Sequence, residues 1–255
     1  MVRFERRALL AAPDGSPAAI GGEITAETVW SAFLDGVFLL PTEDPDVAEL
    51  NALRDEEAVA AGRITVLPGV GDPYRTTWWC PARRPVVEPA AVRYGRHLTR
   101  TLRTCGWTAT VDAAFDQVVR ECRADRWPEW ITPALADVMG ELHRVGRAHS
   151  VEVWAGDELV GGVFGLARGP VFSIDSMFHR RSDAGKVAFA ELARRADGTT
   201  LELIDIQVPT PHGSSLGVVE MAREAYLDRN QAAGGPVVFD TAAHPVDRLL
   251  DISRS

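Results

Sequence analysis

Three consecutive runs near the middle of the chain constrain its fold most. Residues 149–154 alternate apolar and polar side chains, and Ala155-Gly156-Asp157 turns the chain into a second run at 158–166. Gly169-Pro170 then turns it into a third, at 171–176. Strands joined by turns this short pair antiparallel, so the sequence predicts a meander on which the rest must pack. A helix at 184–195 and a strand at 201–207 follow it. Before the meander the apolar spacing is helical. Val92 to Arg103 reads as a helix, and Asp112 is placed to cap another carrying Phe115, Val118, Val119 and Cys122. Thr132-Pro133 is a strong helix start, followed by Leu135, Val138, Met139, Leu142 and Val145, with Gly146 as the stop. Helices, then a meander, then helix and strand read as α+β.

The N-terminal third is less regular. Residues 19–36 read as a small helical element with Thr25 as N-cap, an apolar face of Val29, Trp30, Phe33 and Val37, and Gly36 as its end. Pro41, Pro45, Pro68 and Pro73 punctuate an irregular stretch at 41–76. Its acidic, alanine-rich part at 46–61 leaves two readings open, a short surface helix or a mobile insertion. The expected organisation is a small N-terminal domain at 1–82 with an insertion near 41–76, then a second domain at 83–255. Pro236 onward is weakly patterned, so a C-terminal extension from about 233 is expected to pack on the surface. No internal repeat or low-complexity tract is present.

Composition narrows the function. The chain is 46% hydrophobic and 25% charged, ordinary for a globular protein. It has no apolar run long enough for a membrane span and no leader pattern at its start, so a cytoplasmic protein is expected. Cys80, Cys105 and Cys122 lack metal or disulfide spacing and the histidines are scattered, so neither a metal site nor a disulfide framework is expected. The net charge of −9 argues against a nucleic-acid partner only at long range, because a local basic stripe can still bind phosphate.

No GxGxxG after a strand, P-loop, GxSxG elbow or HExxH is present. Longer segments carry the signal instead: Trp78-Trp79-Cys80-Pro81, Trp130-Ile131-Thr132, and Ala148-His149-Ser150-Val151-Glu152-Val153-Trp154. With them go Asp157-Glu158-Leu159-Val160-Gly161-Gly162, Asp175-Ser176-Met177-Phe178, Leu203-Ile204-Asp205-Ile206-Gln207 and Ser215-Leu216-Gly217. In order and spacing these segments, over roughly 20–40 and 78–226, resemble the bacterial leucyl/phenylalanyl-tRNA–protein transferases.

That resemblance implies a small N-terminal domain, a C-terminal domain similar to acyl-CoA N-acetyltransferases, and an aminoacyl-tRNA donor whose amino acid passes to an amine without metal or other cofactor. It gives Asp205 and Gln207 the role of a proton-handling pair. Two positions apart on a strand, they would face the same side. An aminoacyl ester is already activated, so the enzyme need only position the amine and remove its proton. The resemblance sets Asp175 near the α-amino group of the transferred residue, in a subsite with Val163, Phe172, Ile174, Met177 and His179. It stacks Trp130 on the terminal adenosine, with Leu40 where the family has an aromatic. Trp78 and Trp79 read as packing between the domains. Arg93, Arg96, Arg100 and Arg103, at i, i+3, i+7 and i+10, form the best candidate for the tRNA backbone, with a solvated face as the plain alternative. His149 reads as a core histidine, and His212 as a neighbour of the site.

The departures fall in the pocket. Val163 replaces a methionine, Ile174 a glycine and Ile206 a cysteine; Asp175 is one methylene shorter than the family's glutamate. If Ile174 points inward, the subsite shrinks, pointing to a smaller aminoacyl group or to a small-molecule amine as acceptor in a biosynthetic pathway. The alternatives are the ordinary family role, an acyl-CoA N-acetyltransferase and a silent tRNA-binding module. Residues 180–186 lack the glycine pattern of an acetyltransferase pyrophosphate loop, and keeping Asp205 together with Gln207 argues against silence.

Overall fold

The computed structural model describes residues 3–124, 127–209, 216–232 and 234–252. The chain is α+β and divides into two compact units. One takes Met1–Arg84, Arg123–Leu142 and Met221–Ala232; the other takes Pro85–Cys122, His143–Glu220 and Ala233–Ser255. The first crossing falls close to the expected boundary at 82, but two later stretches return to the first unit.

The first unit opens with α1 (Arg6–Ala11), β1 (Ala19–Gly21), α2 (Ala26–Leu34), β2 (Phe38–Pro41), α3 (Pro45–Ala60), β3 (Thr65–Leu67) and β4 (Thr76–Trp79). Its four strands lie in the order β2-β4-β1-β3, with β1 and β3 parallel. Thr25 caps α2 as the sequence predicts. The Thr28 N–H donates to Thr25 Oγ1 at 3.1 Å and the Thr25 N–H to Thr28 Oγ1 at 3.0 Å, a capping box closed by threonine in place of Glu or Gln. Gly36 ends the turn at φ +83, and a Cβ there would come within 2.5 Å of Leu227.

Two expectations for this region are corrected. Residues 19–21 form a strand rather than the first turn of a helix, because Gly21 and Gly22, at φ +75 and +83, break the backbone before Thr25. The stretch 41–76 is not irregular: Asp44 caps α3 by accepting the Asp46 N–H at 2.9 Å, with Pro45 in the first turn. This 16-residue helix buries only Ala48, Asp55 and Ala58, too small and polar a stripe to be read as amphipathic. Trp78 is fully buried within this unit, and its Nε1 donates to Gly21 O at 2.7 Å.

From Arg83 the elements are β5 (Arg83–Val87), α4 (Arg96–Thr104), β6 (Thr108–Val111), α5 (Phe115–Arg123), α6 (Pro133–Arg144), β7 (Ala148–Ala155), β8 (Glu158–Arg168), β9 (Val171–His179), α7 (Ala184–Arg195), β10 (Leu203–Asp205), β11 (Val219–Ala222), α8 (Arg223–Asn230) and β12 (His244–Pro245). Their sheet runs β11-β5-β10-β9-β8-β7-β6-β12. The meander β7-β8-β9 is antiparallel as predicted, and α7 carries the chain over to β10, parallel to β9. On one face Val151, Val153, Val163, Phe172, Ile174 and Ile204 pack with Val187, Ala188, Phe189 and Leu192 of α7. Gly161 lets the helix close on the sheet, since a Cβ there would lie 2.7 Å from the Ala184 backbone.

The C-terminal stretch is not a surface extension. Its strand β12 pairs with β6, and Val237, Phe239, Val246 and Leu249 are buried in the core. Polar anchors hold it there, which is why no apolar periodicity announces it. Arg195 of α7 donates to the carbonyls of Asp240 and Ala242, and Arg248 pairs with the buried Glu191.

Candidate functional site

The chemistry-bearing residues gather where β9 and β10 lie side by side. Ser173 is the register partner of Asp205, and the Ser173 hydroxyl donates to Asp205 Oδ2 at 2.8 Å. Gln207 lies beyond the end of the strand, at φ +61. This corrects the expected strand over 201–207, which stops at Asp205. The two residues meet not by strand alternation but by an Asx-type turn, the Gln207 N–H donating to Asp205 Oδ1 at 2.8 Å. The Gln207 amide Nε2 then donates to Ser173 Oγ at 3.2 Å and to Asp175 Oδ1 at 3.1 Å. Asp205 is fully buried and Gln207 nearly so, whereas Asp175 is half-buried.

Asp175 reaches this network because β9 bulges. Gly165 pairs with Ile174 and Phe164 with Ser176, leaving Asp175 as the extra residue. A bulge re-aims a side chain that regular alternation would place elsewhere. The donors and acceptors fix the polarity of the network. An ionised carboxylate only accepts, so the Ser173 proton goes to Asp205, and Ser173 Oγ can accept from Gln207. Both Gln207 N–H groups are thereby spent, leaving the amide oxygen Oε1 as the acceptor end. Sequence reasoning missed Ser173; strand register alone, β9 beside β10, is what would have found it.

The apolar candidates are less exposed than a substrate subsite suggests. Val163 and Phe172 are fully buried and Ile174 is 8% exposed, all in the core beneath α7. Met177 packs at the edge of that core, and His179 is exposed. Ile174 and Phe172 therefore lie on the core face of β9, with Ser173 on the opposite face beside Asp205.

The arginine stripe is shorter than expected. Gly95 is the N-cap of α4, so Arg93 is not helical; its N–H donates to Leu216 O at 3.2 Å. Arg96, Arg100 and Arg103 remain on one exposed face, opposite the buried Leu98 and Leu102. The helix is tied to the start of α7 by Asp183. That carboxylate accepts from Thr101 Oγ1 at 2.9 Å and from Lys186 Nζ at 3.2 Å, and lies 3.1 Å from His97 Nε2.

Leu40 and Trp130 both belong to the first unit and are half-buried. Their flanking segments meet: Glu43 and Asp44 line a cavity of about 200 Å³ together with Trp127, Glu129 and Thr132. Thr132 is the cap of α6, accepting the Leu135 N–H at 3.3 Å.

The His149 segment has its own polar network. His149 is nearly buried, its Nδ1 lies 2.7 Å from Asp112 Oδ2, and its Nε2 has no hydrogen-bond partner. Asp112 also accepts the Ser150 N–H at 2.8 Å. Its carboxylate thus serves β7 rather than capping α5, which corrects that expectation. Glu152 accepts from Thr110 and Ser150, each at 2.5 Å, and from the Ala113 N–H at 3.3 Å. Burial nevertheless pushes its carboxyl above the ordinary carboxylate range. His212 lies outside the described residues.

The family described as Leucyl/phenylalanyl-tRNA protein transferase matches residues 86–231. A protein of that name from Shewanella denitrificans is 40% identical over 176 residues, 69% of this chain and 76% of its own length. Another, from an Anaeromyxobacter strain, is 35% identical over 224 residues, 86% of this chain and 83% of its own. A solved GCN5-related N-acetyltransferase from Kribbella flavida aligns over 55% of each chain at 16% identity with a TM-score of 0.35, a likeness too faint to bear on fold or activity. The chain is thus an enzyme of the aminoacyltransferase class. It belongs to the leucyl/phenylalanyl-tRNA–protein transferase family. Among the described residues, no helix is long and apolar enough to cross a membrane.

Proposed function

We propose that this chain moves an aminoacyl group from aminoacyl-tRNA onto an amine, with Asp205, Ser173, Gln207 and Asp175 as the working group. The observation that carries the reading is the hydrogen-bonded series joining these four side chains, three of them on motif positions. In the reaction the acceptor nitrogen attacks the ester carbonyl, a C–N bond forms and the C–O bond to the terminal ribose breaks. The amine loses a proton and the ribose oxygen gains one. Gln207 Oε1 accepts an N–H of the incoming amine and so orients its lone pair. Asp205 holds that amide through its backbone and through Ser173, and its buried charge favours the positive charge growing on nitrogen. Asp175 attracts the α-ammonium of the transferred residue. The ester supplies the driving force, so positioning and proton removal suffice.

The exposed arginines of α4 and the segments holding Leu40 and Trp130 are assigned to the tRNA phosphates and terminal adenosine. The first reading of the substrates is the family's: a leucyl or phenylalanyl group and a protein amine. The packing of Ile174 into the core with Val163 and Phe172 favours a second reading, a subsite narrowed for a smaller aminoacyl side chain. A screen of radiolabelled aminoacyl-tRNAs, with peptide and small amines as acceptors, separates them. Efficient leucyl or phenylalanyl transfer to a peptide establishes the first reading. Preferential use of a smaller residue establishes the second, and transfer to a small amine would replace the protein acceptor. Binding of tRNA with no ester consumed would reduce the chain to a binding module.

A further inference from the structure

We infer that Asp183, at the start of α7, is a positioning residue for tRNA binding. It sets how α4 is turned about its own axis, and so where Arg96, Arg100 and Arg103 point. The inference rests on the reading that this arginine face meets the tRNA phosphates.

Helix α4 has little else to fix its turn. It is nine residues long, its N-cap is a glycine with no side chain to offer, and it buries Leu98 and Leu102. A single apolar stripe holds a short helix against the core, and a further contact off that stripe is needed to stop it rolling. Asp183 supplies that contact. It is the N-cap residue of α7, and aspartate is among the best caps, yet its side chain makes no cap hydrogen bond there. The carboxylate reaches α4 instead. Its Oδ2 accepts from Thr101 Oγ1 at 2.9 Å and lies 3.1 Å from His97 Nε2, while Oδ1 accepts from Lys186 Nζ at 3.2 Å. Asp183 is buried and sits at φ +65, a left-handed conformation that persists only where the surroundings hold it. At about 3.6 residues per turn, His97 and Thr101 lie one turn apart on α4, between its leucine stripe and its arginine face. A carboxylate fixed at that edge stops the helix rolling and holds the three guanidinium groups out together. A basic face that is already aligned binds a row of phosphates without first having to order itself.

The test is filter binding of leucyl-tRNA to the full chain. Asp183→Gly removes the carboxylate and tolerates the left-handed backbone. It also removes a negative charge beside a basic helix, which by electrostatics alone would tighten tRNA binding. The expected result is the opposite, an affinity about five-fold weaker, from loss of hydrogen bonds to a charged group. With Arg96→Ala, Arg100→Ala and Arg103→Ala also in place, the same substitution is expected to weaken binding no further. Tighter or unchanged binding in Asp183→Gly overturns the inference. So does an equal weakening in both backgrounds, which is the mark of a general loss of stability. Thr101→Val makes the cut from the α4 side and leaves α7 intact, so it reads the contact even where Asp183→Gly fails to fold. It is expected to weaken binding about two-fold, and no change would overturn the inference. If the three alanine substitutions alone leave binding unaltered, the tRNA reading of α4 falls and this inference with it. If they weaken binding and Asp183→Gly does not, only the role of Asp183 falls.

Discussion

Ser173 shows how much of the site depends on one hydroxyl. It both donates to Asp205 and accepts from Gln207, so Ser173→Ala cuts the link between the buried acid and the amide. Loss of a hydrogen bond to a charged group costs about 1.5–3 kcal/mol. The variant is therefore expected to lose about ten-fold or more in kcat with little change in the KM for aminoacyl-tRNA; single-turnover kinetics would read it, and an unchanged kcat would remove Ser173 from the working group. Glu152 gives a prediction in pH. Burial raises its folded pKa above the ordinary value of 4.5, so its contribution to stability is full below that value and is lost as pH rises through the raised pKa. Glu152→Gln stays neutral and lacks this dependence. Urea unfolding from pH 4.5 to 8 should show the wild type losing ground to the variant as pH rises; parallel curves would contradict the shift. The residues Asp175, Asp205 and Gln207 were legible as motif positions. Their mutual geometry was not, because a bulge and a left-handed residue, both invisible to alternation counting, bring them together.

Elements were legible in proportion to the apolar stripe they bury. The meander and α2 announced themselves by alternation and by a cap, and α7 by its helical spacing. Helix α3 did not, because it buries two alanines and an aspartate; Asp55, fully buried, pairs with Arg54 at 2.6 Å, and no hydropathy pattern registers such a contact. Helix α4 was read one turn too long, and the glycine at position 95 supplies the reason. Its exposed face carries the element-scale prediction. Each phosphate contact removed flattens the salt dependence of binding by about one unit of slope. Replacing Arg96, Arg100 and Arg103 with alanine is expected to lower tRNA affinity alike for every aminoacyl group and to flatten the log-affinity against log-salt slope by about two to three. Arg93→Ala, off the helix, serves as comparison. Filter binding across salt concentrations measures both, and an unaltered slope in the triple variant would leave the stripe a solvated surface.

At the scale of the whole molecule, the second unit is finished by chain that the sequence pattern relegated to its surface. Removing residues 233–255 would take away β12 and four buried apolar residues, Val237, Phe239, Val246 and Leu249. It would also leave buried polar groups without partners. Arg195 would lose the carbonyls of Asp240 and Ala242, and Glu191 would lose Arg248, although the two stay paired with each other at 2.6 Å inside the core. A buried donor or acceptor left unsatisfied costs about 1–3 kcal/mol, before any apolar loss is counted. For a protein of this size each kcal/mol moves the melting temperature by about 2–4 °C. The truncated chain is therefore expected to melt at least about 10 °C lower, or to fail to fold, in thermal unfolding followed by circular dichroism. A surface appendage would leave the melting temperature where it was, and that result would refute an integral role for the segment. Arg195→Met separates the two contributions, since it removes the charge but keeps β12 and the apolar contacts. It should reproduce part of the fall in melting temperature seen on truncation, and the remainder measures what β12 and the buried side chains of the segment contribute.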